Sequence, residues 1–327
     1  MSYRLELLLG AGVILALAGS LLIGPAGLLP AESFAALLSG EGPAGLVMRE
    51  IRLPRAILGA LVGAALGLSG AALQGYLRNP LAEPGLIGVT GAASLGAVIA
   101  LQTGLAAAFT LGLPLAALAG ALAAVLLILA LAGPRGAALT LILAGIAISA
   151  LAGAFTALVL NLSPNPYATY EMVFWMMGSL ANRSFTHVWL AAPFVVVGGA
   201  VLLSLGRSLD ALALGEDAAE SMGVRLSRLR LALVLGVASS VGAATAVAGG
   251  IGFVGLVVPH LLRRAVGSRP SRLLGASALG GALLVLLADI AVRLILPEKD
   301  LKLGVLMAII GAPLFLHLVY RTRRELG

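Results

Sequence analysis

Residues 54–75 read PRAILGALVGAALGLSGAALQG, and after Arg55 no charged residue appears until Arg78. An α-helix rises about 1.5 Å per residue, so a run of about 20 apolar positions crosses a hydrocarbon layer of about 30 Å. Gly59, Gly63 and Gly67 recur every four residues and lay one smooth stripe along that helix, where a second helix can approach closely. The same texture repeats outward in both directions, with apolar runs at 5–29, 88–108, 112–132, 138–160, 187–206, 231–248, 251–266, 273–295 and 303–320. Only helices and closed barrels satisfy their backbone groups in lipid. Strand-like alternation is absent and aromatic residues are only 5% of the chain, too few for the girdles of a barrel. The expectation is an all-α polytopic membrane protein of about ten transmembrane helices, with 1–327 forming a single membrane domain.

Composition agrees. Hydrophobic residues make up 60% and charged residues 11% of 327 positions, with a mean hydropathy of +1.09. Soluble domains run at roughly 45–50% apolar and 25% charged. A net charge of +7 would suit nucleic acid, but no basic patch with interleaved aromatics accompanies it, and arginines gather in the cytoplasmic loops of membrane proteins anyway. The absence of cysteine excludes disulfides, thiolate metal sites and cysteine nucleophiles. The run 5–29 is too long for a signal-peptide core and lacks a small-x-small cleavage site, so it is expected to be the first span. Between the fifth and sixth spans, NLSPNPYATYEMVFWMMGSLANRSF (161–185) opens as a loop, and 170–180 suits a short interfacial helix anchored by Trp175.

Ten spans put both termini on one side. That side collects Arg4, Arg78, Arg135, Arg207, Arg225, Arg228, Arg230, Arg263, Arg264, Arg269, Arg272, Arg321, Arg323 and Arg324, fourteen of the 21 basic residues. By the positive-inside rule both termini are expected in the cytoplasm. Arg49, Arg52, Arg55, Arg183, Arg293, Lys299 and Lys302 are left outside and need an explanation. In REIRLPRAIL (49–58), Pro54 suits the first turn of a helix, which would set Arg52 and Arg55 beside an N-terminus that disfavours positive charge. An acidic partner outside the membrane would account for them, as would snorkelling to lipid headgroups. On the first reading, glutamates at both positions should leave folding intact.

Intramembrane chemistry is sparse. Asp289 is the one acid well inside a span, a candidate for proton coupling, and Arg293 four residues on offers a local ion pair instead. His187, His260 and His317 are isolated from one another and offer no paired metal ligands. GLSG at 67–70 matches the G-x-S-G around the nucleophile of rhomboid-type proteases, with His260 the one intramembrane base for Ser69. No Walker A sequence is present, so this chain does not hydrolyse ATP by the P-loop route. Gly145, Ser149, Gly153 and Thr156 give the fifth span one small, mildly polar face, either packed in the bundle or lining a solute path. SLDALALGEDAAESMGVRLSRLR (208–230) is too polar to span. Gly215 and Gly223 read as helix stops, giving two short helices with Ala218, Ala219 and Ser221 exposed between them. These are either a surface amphipathic element or a peg for a cytoplasmic partner.

A family resemblance rests on five stretches in order: RLPRAILGALVGAALGLSGAALQGYLRNPLAEPGLIGVTGAASLGA (52–97), LALGEDAAESMGV (212–224), GGIGFVGLVVPHLLRR (249–264), LLADIAVRL (286–294) and IIGAPLFLHLVYR (309–321). Together they closely resemble the FecCD-type permeases that import vitamin B12, haem and iron–siderophores, over essentially the whole chain. The resemblance implies a homodimer in the bacterial inner membrane, two cytoplasmic ABC ATPase subunits using ATP and Mg, and a periplasmic substrate-binding protein. It implies no cofactor on this chain and no enzymatic activity of its own. Residues 210–223 match the family's coupling helices, with Glu216, Ala218, Ala219, Ser221 and Gly223 set against the ATPase. Arg52, Arg55 and Arg293 match positions that pair with acids of the binding protein, and the fifth and tenth spans resemble the helices lining the path. Ala138 and Leu139 depart from the small hydroxylated gate residues of the vitamin B12 importer, and PEKDLKLGV (297–305) is more charged than the family's usual link. An iron chelate, the commoner cargo, is expected, with haem and cobalamin as alternatives. An ion-coupled secondary transporter and an intramembrane serine protease are the readings from other classes.

Overall fold

A computed structural model describes residues 2–24, 26–133, 138–296 and 301–326, where the regular structure is helical throughout. Arg135, Lys299 and the side chains of Ala138 and residues 321–326 fall outside the described set. In chain order the helices are α1 (Ser2–Leu22), α2 (Pro30–Ser39), α3 (Gly42–Leu46), α4 (Leu53–Leu77), α5 (Val89–Gln102), α6 (Leu105–Ala108), α7 (Gly112–Ala132) and α8 (Ala138–Asn161). There follow α9 (Pro166–Met176), α10 (Phe185–Ser204), α11 (Gly206–Leu212), α12 (Glu216–Ser221), α13 (Leu226–Ala248), α14 (Val254–Arg263), α15 (Pro270–Ile295) and α16 (Leu303–Leu326). Among the described residues, 7 helical segments are long and apolar enough to cross a membrane, and Val89–Gln102, Val254–Arg263 and Leu303–His317 are shorter apolar helices. These account for the ten expected spans. The interfacial helix starts earlier than expected, at Pro166, because the Asn165 side chain caps it by accepting the Tyr167 N–H at 3.0 Å.

The largest departure concerns Pro54, which does not open a helix. Gly42–Leu77 is one helical segment of 36 residues, about 54 Å at the usual rise. A π turn at Val47–Arg52 lies immediately before α4, and the Leu53 N–H reaches back to the Met48 carbonyl. Proline lacks an N–H and crowds the preceding turn, and a widened turn just ahead of it absorbs both defects. Arg52 and Arg55 therefore stand inside a helix, and the dipole argument made for them from sequence does not apply.

α4 lies at the centre, against α15, α13, α14 and α10. Its glycine stripe meets α15 directly: a Cβ on Gly63 would collide with the Gly281 carbonyl, and one on Gly67 with the Ser277 carbonyl. The close approach expected of the stripe is thus realised, with α15 as the partner. Two of the shorter helices, α5 and α14, have a common cause. Gly255, at the start of α14, has both the Leu66 carbonyl and the Pro84 ring beside it, and Leu66 is midway along α4. The chain before α5 and before α14 therefore turns at mid-depth. There its backbone is satisfied by side chains: buried Gln74 donates through Nε2 to the carbonyls of Ala82 and Gly255, both at 3.2 Å, and the half-buried Glu83 carboxylate accepts the Phe253 N–H.

Candidate functional site

At one end of the α4–α15 pair the structure brings together all three arginines singled out from sequence. Asp289, only 1% exposed, accepts from Arg55 Nη2 at 2.8 Å and Nε at 3.0 Å, and pairs with Arg293 Nη2 at 3.0 Å. Arg293 Nη1 also donates to the Ser20 carbonyl at 2.9 Å, and Nη2 to Ser20 Oγ at 2.7 Å. Arg52 is 4% exposed and donates through Nη1 to the carbonyls of Leu21 and Leu22, at 2.8 and 3.1 Å. Residues 20–22 form the last turn of α1, whose carbonyls have no partner within the helix. Two guanidiniums cap it, which also explains why the first span stops at Leu22 rather than at 29.

The same device recurs at other helix ends on this face. Arg49 Nε donates to Leu37 O at 2.8 Å, in the last turn of α2, and Arg183 Nε donates to Val247 O at 2.5 Å, in the last turn of α13. A helix end carries partial negative charge and unpaired acceptors, so cations suit it. Most of the cations that strained the positive-inside count are held by helices ending beside them. Sequence had no signal for this, since the partners lie 31 and 273 residues apart for Arg52 and Arg293.

At the opposite end α11 and α12 form the two short helices expected within 208–230, the first starting slightly earlier, at Gly206. Glu216 and Asp217 occupy the first turn of α12, where the dipole favours them. Gly223 closes it with a left-handed φ of 86°, its N–H bonding Glu220 O at 2.8 Å and the Val224 N–H bonding Ala219 O at 3.0 Å. Glu216, Ser221 and Gly223 are exposed and Ala218 is half-buried. Ala219 is not exposed, contrary to the sequence expectation: it is fully buried and packed into the apolar core. The segment is also tied to α15 in a way sequence did not reveal. Asp210 accepts the Ser271 N–H at 2.8 Å and its hydroxyl at 2.6 Å, capping the start of α15. One helix pair therefore carries the arginine cluster at one end and the short helices α11 and α12 at the other.

The small residues of α8 do not share one open face. Gly145 and Thr156 are buried, Gly145 against the Leu86 carbonyl, while Ser149 is half-buried and Gly153 exposed. Leu139 is 63% exposed. Ser69 is wholly buried and its Oγ has no hydrogen-bond partner among the described residues, so none of their histidines stands in reach as a general base. Asp289 is held by two guanidiniums, the local pair foreseen for it and one more. Among the described residues no three histidine or acidic side chains converge as metal ligands.

Comparison with known proteins places this architecture. Residues 12–321 match the FecCD transport family. The chain belongs to that family. It is 41% identical to the Fe(3+) dicitrate transport system permease protein FecD of Escherichia coli K12, over 85% of this chain and 86% of the relative. It is 42% identical to the cobalamin import system permease protein BtuC of Halobacterium salinarum, over 84% and 74%. A solved metal-chelate type ABC transporter in an inward-facing conformation superposes with a TM-score of 0.85 at 32% identity, covering 98% of this chain and 99% of the other. As a FecCD protein the chain is a multi-pass membrane permease, and the hydrolytic step of such systems lies in a separate ATPase subunit.

Proposed function

We propose that this chain is the permease of an ABC importer for metal chelates, vitamin B12 or haem, that its cargo is an iron chelate, and that two copies form the path. The observation that carries the reading is the full-length agreement with the FecCD family, supported by the superposition on a metal-chelate type transporter. FecD and BtuC are matched almost equally well, so identity alone does not choose a cargo. Both termini lie in the cytoplasm, where two ATPase subunits meet the acidic helix α12 and the bare side chains of Leu214 and Met222 beside it. A binding protein delivers cargo at the outer face. There Arg55 is the docking residue with a nitrogen to spare, since Nη1 makes no bond within the described chain, while Arg52 and Arg293 stand behind it and fix its surroundings. This chain contributes path, gate and docking surfaces, and ATP-driven closure of the partner subunits exchanges two packings of the bundle.

Vesicle uptake with cognate ATPase and binding protein, against ferric dicitrate, a ferric siderophore, haem and cobalamin, tests the reading. ATP-dependent uptake of an iron chelate, with ATPase stimulation, is expected. Uptake that follows a proton gradient without ATP would instead support a carrier. Orientation is tested separately, because the chain has no native cysteine. Ser227→Cys should be labelled only from the cytoplasm and Tyr167→Cys only from outside; the reverse pattern inverts the topology.

A further inference from the structure

On the side assigned to the cytoplasm, three of the exposed arginines that have no side-chain partner among the described residues share one cleft. Arg207 on α11, Arg225 at the start of α13 and Arg228 in its first turn are exposed, and none of their side chains makes a hydrogen bond or ion pair among the described residues. Their neighbours behave differently: Arg230 is buried and donates to the Gly133 carbonyl at 2.8 Å, and Arg263 donates to Gln74 Oε1 at 2.5 Å. The three converge on one cleft of about 550 Å³, floored by Leu205, Ala211 and Leu229, with no acidic side chain in its lining. Along α13, positions 228, 231 and 235 share a face. Leu231 is 44% and Leu235 46% exposed, so a guanidinium at the helix start gives way to bare hydrocarbon within the apolar span Leu226–Ala248.

We propose that this cleft holds one anionic phospholipid of the cytoplasmic leaflet, its phosphate between Arg207, Arg225 and Arg228 and an acyl chain along Leu231 and Leu235. The placement in that leaflet rests on the orientation proposed above. Guanidinium groups match a phosphate with paired, charge-assisted hydrogen bonds, and basic pockets between spans on the cytoplasmic side suit anionic headgroups. A soluble acidic partner could meet the arginines but could not follow the stripe into the hydrocarbon. Charge and apolar surface together therefore select a molecule that has both.

The test is native mass spectrometry of the full-length chain released from phosphatidylcholine vesicles with and without phosphatidylglycerol. Wild type should keep one phosphatidylglycerol, and the variant with Arg207→Gln, Arg225→Gln and Arg228→Gln should lose it at least roughly tenfold. Leu235→Asn should weaken retention without touching the charge, and millimolar inorganic phosphate should not displace the lipid. Arg228→Gln alone, at an exposed position, keeps the test open should the triple variant fold poorly. Equal retention by wild type and variants overturns the proposal. Displacement by inorganic phosphate also overturns it, making the cleft a free-anion site. Unchanged lipid with loss of ATPase-subunit binding overturns it as well, making the arginines a protein contact. Labelling of Ser227→Cys from outside would sink the orientation alone, since retention is read independently of it.

Discussion

α4 and α8 are both long spans with small residues at four-residue spacing, and the fold uses them in opposite ways. On α4 a Cβ at Gly63 or Gly67 would run into the backbone of α15. On α8 only Gly145 meets a carbonyl, while a Cβ at Gly153 would find nothing within 4 Å. α8 presents Leu143, Leu151, Phe155 and Leu158 outward, each about half exposed. The spacing shows that a helix can be approached, not that it is. What separates the two is the partner: α15 brings Ser277 and Gly281, small residues of its own at matching spacing, and nothing comparable faces Gly153. The α4–α15 seam is therefore a strut between the arginine cluster and the short helices α11 and α12, and the exposed face of α8 is surface left for something else.

The sharpest way to break this contrast is Gly63→Leu. A leucine there must push two backbones apart, and overpacking of this kind costs about 1–3 kcal/mol and occasionally more. With no flexible side chain to yield, loss of the folded chain is expected, read as loss of monodisperse protein and of a cooperative thermal transition in detergent. An unchanged melting curve would mean the seam is not close-packed.

Next comes the outer cluster. Asp289→Asn leaves one nearly buried guanidinium (Arg293) and one partly exposed one (Arg55) without their counter-charge, and breaking a buried pair typically costs about 3–5 kcal/mol. Arg52→Glu should be comparably harmful, because it sets a carboxylate against the carbonyls of Leu21 and Leu22. The sequence-based expectation that glutamates at Arg52 and Arg55 would leave folding intact was therefore wrong in its premise. Thermal unfolding of each variant decides it, and a wild-type curve for Arg52→Glu would restore the original view. A docking role predicts a different pattern for Arg55→Gln: weaker association with the binding protein, with the loss shrinking as salt rises. Smaller still is Gly223→Val, which forces a β-branched residue into a left-handed conformation at about 1–2 kcal/mol. That cost should stay local to α12 and appear as weaker ATPase binding. Ala219→Trp would not serve as a probe of docking, since it would disrupt the core instead.

How much was legible follows from where each signal lay. The spans could be read because hydrocarbon demands apolar runs of one length, and their residues are contiguous. α7, starting at Gly112 and ending at Ala132, matches its expected run at both ends. The family motifs were legible for the same reason. The unreadable parts depend on residues brought together from afar: Arg52 on the end of α1, Asp210 on the start of α15, Glu83 on the start of α14. Pro54 misled because a proline that opens a helix and one preceded by a π turn look alike in sequence. Ala219 misled because a six-residue helix has too few positions to show which face turns inward.

The smallest structural effect is expected at Gly153, and it sharpens the comparison most. Gly153 sits in an ordinary helical conformation with open space at its Cβ, so Gly153→Leu should leave stability unchanged or slightly raised, glycine being the poorer helix former by about 1 kcal/mol. Stability is therefore silent about what the open face is for, and transport is the readout that speaks. If that face borders the path formed by two copies, as proposed, a leucine narrows it, and ATP-dependent uptake should fall several-fold while binding of the ATPase subunits and the thermal transition hold. Gly145→Leu is the control on the same helix: it should lose stability, because the Leu86 carbonyl occupies the space its Cβ needs. Should Gly153→Leu transport as well as wild type, α8 faces lipid at that position. The path must then be sought elsewhere, beginning with the mid-depth cavity beside Glu83 and Thr90.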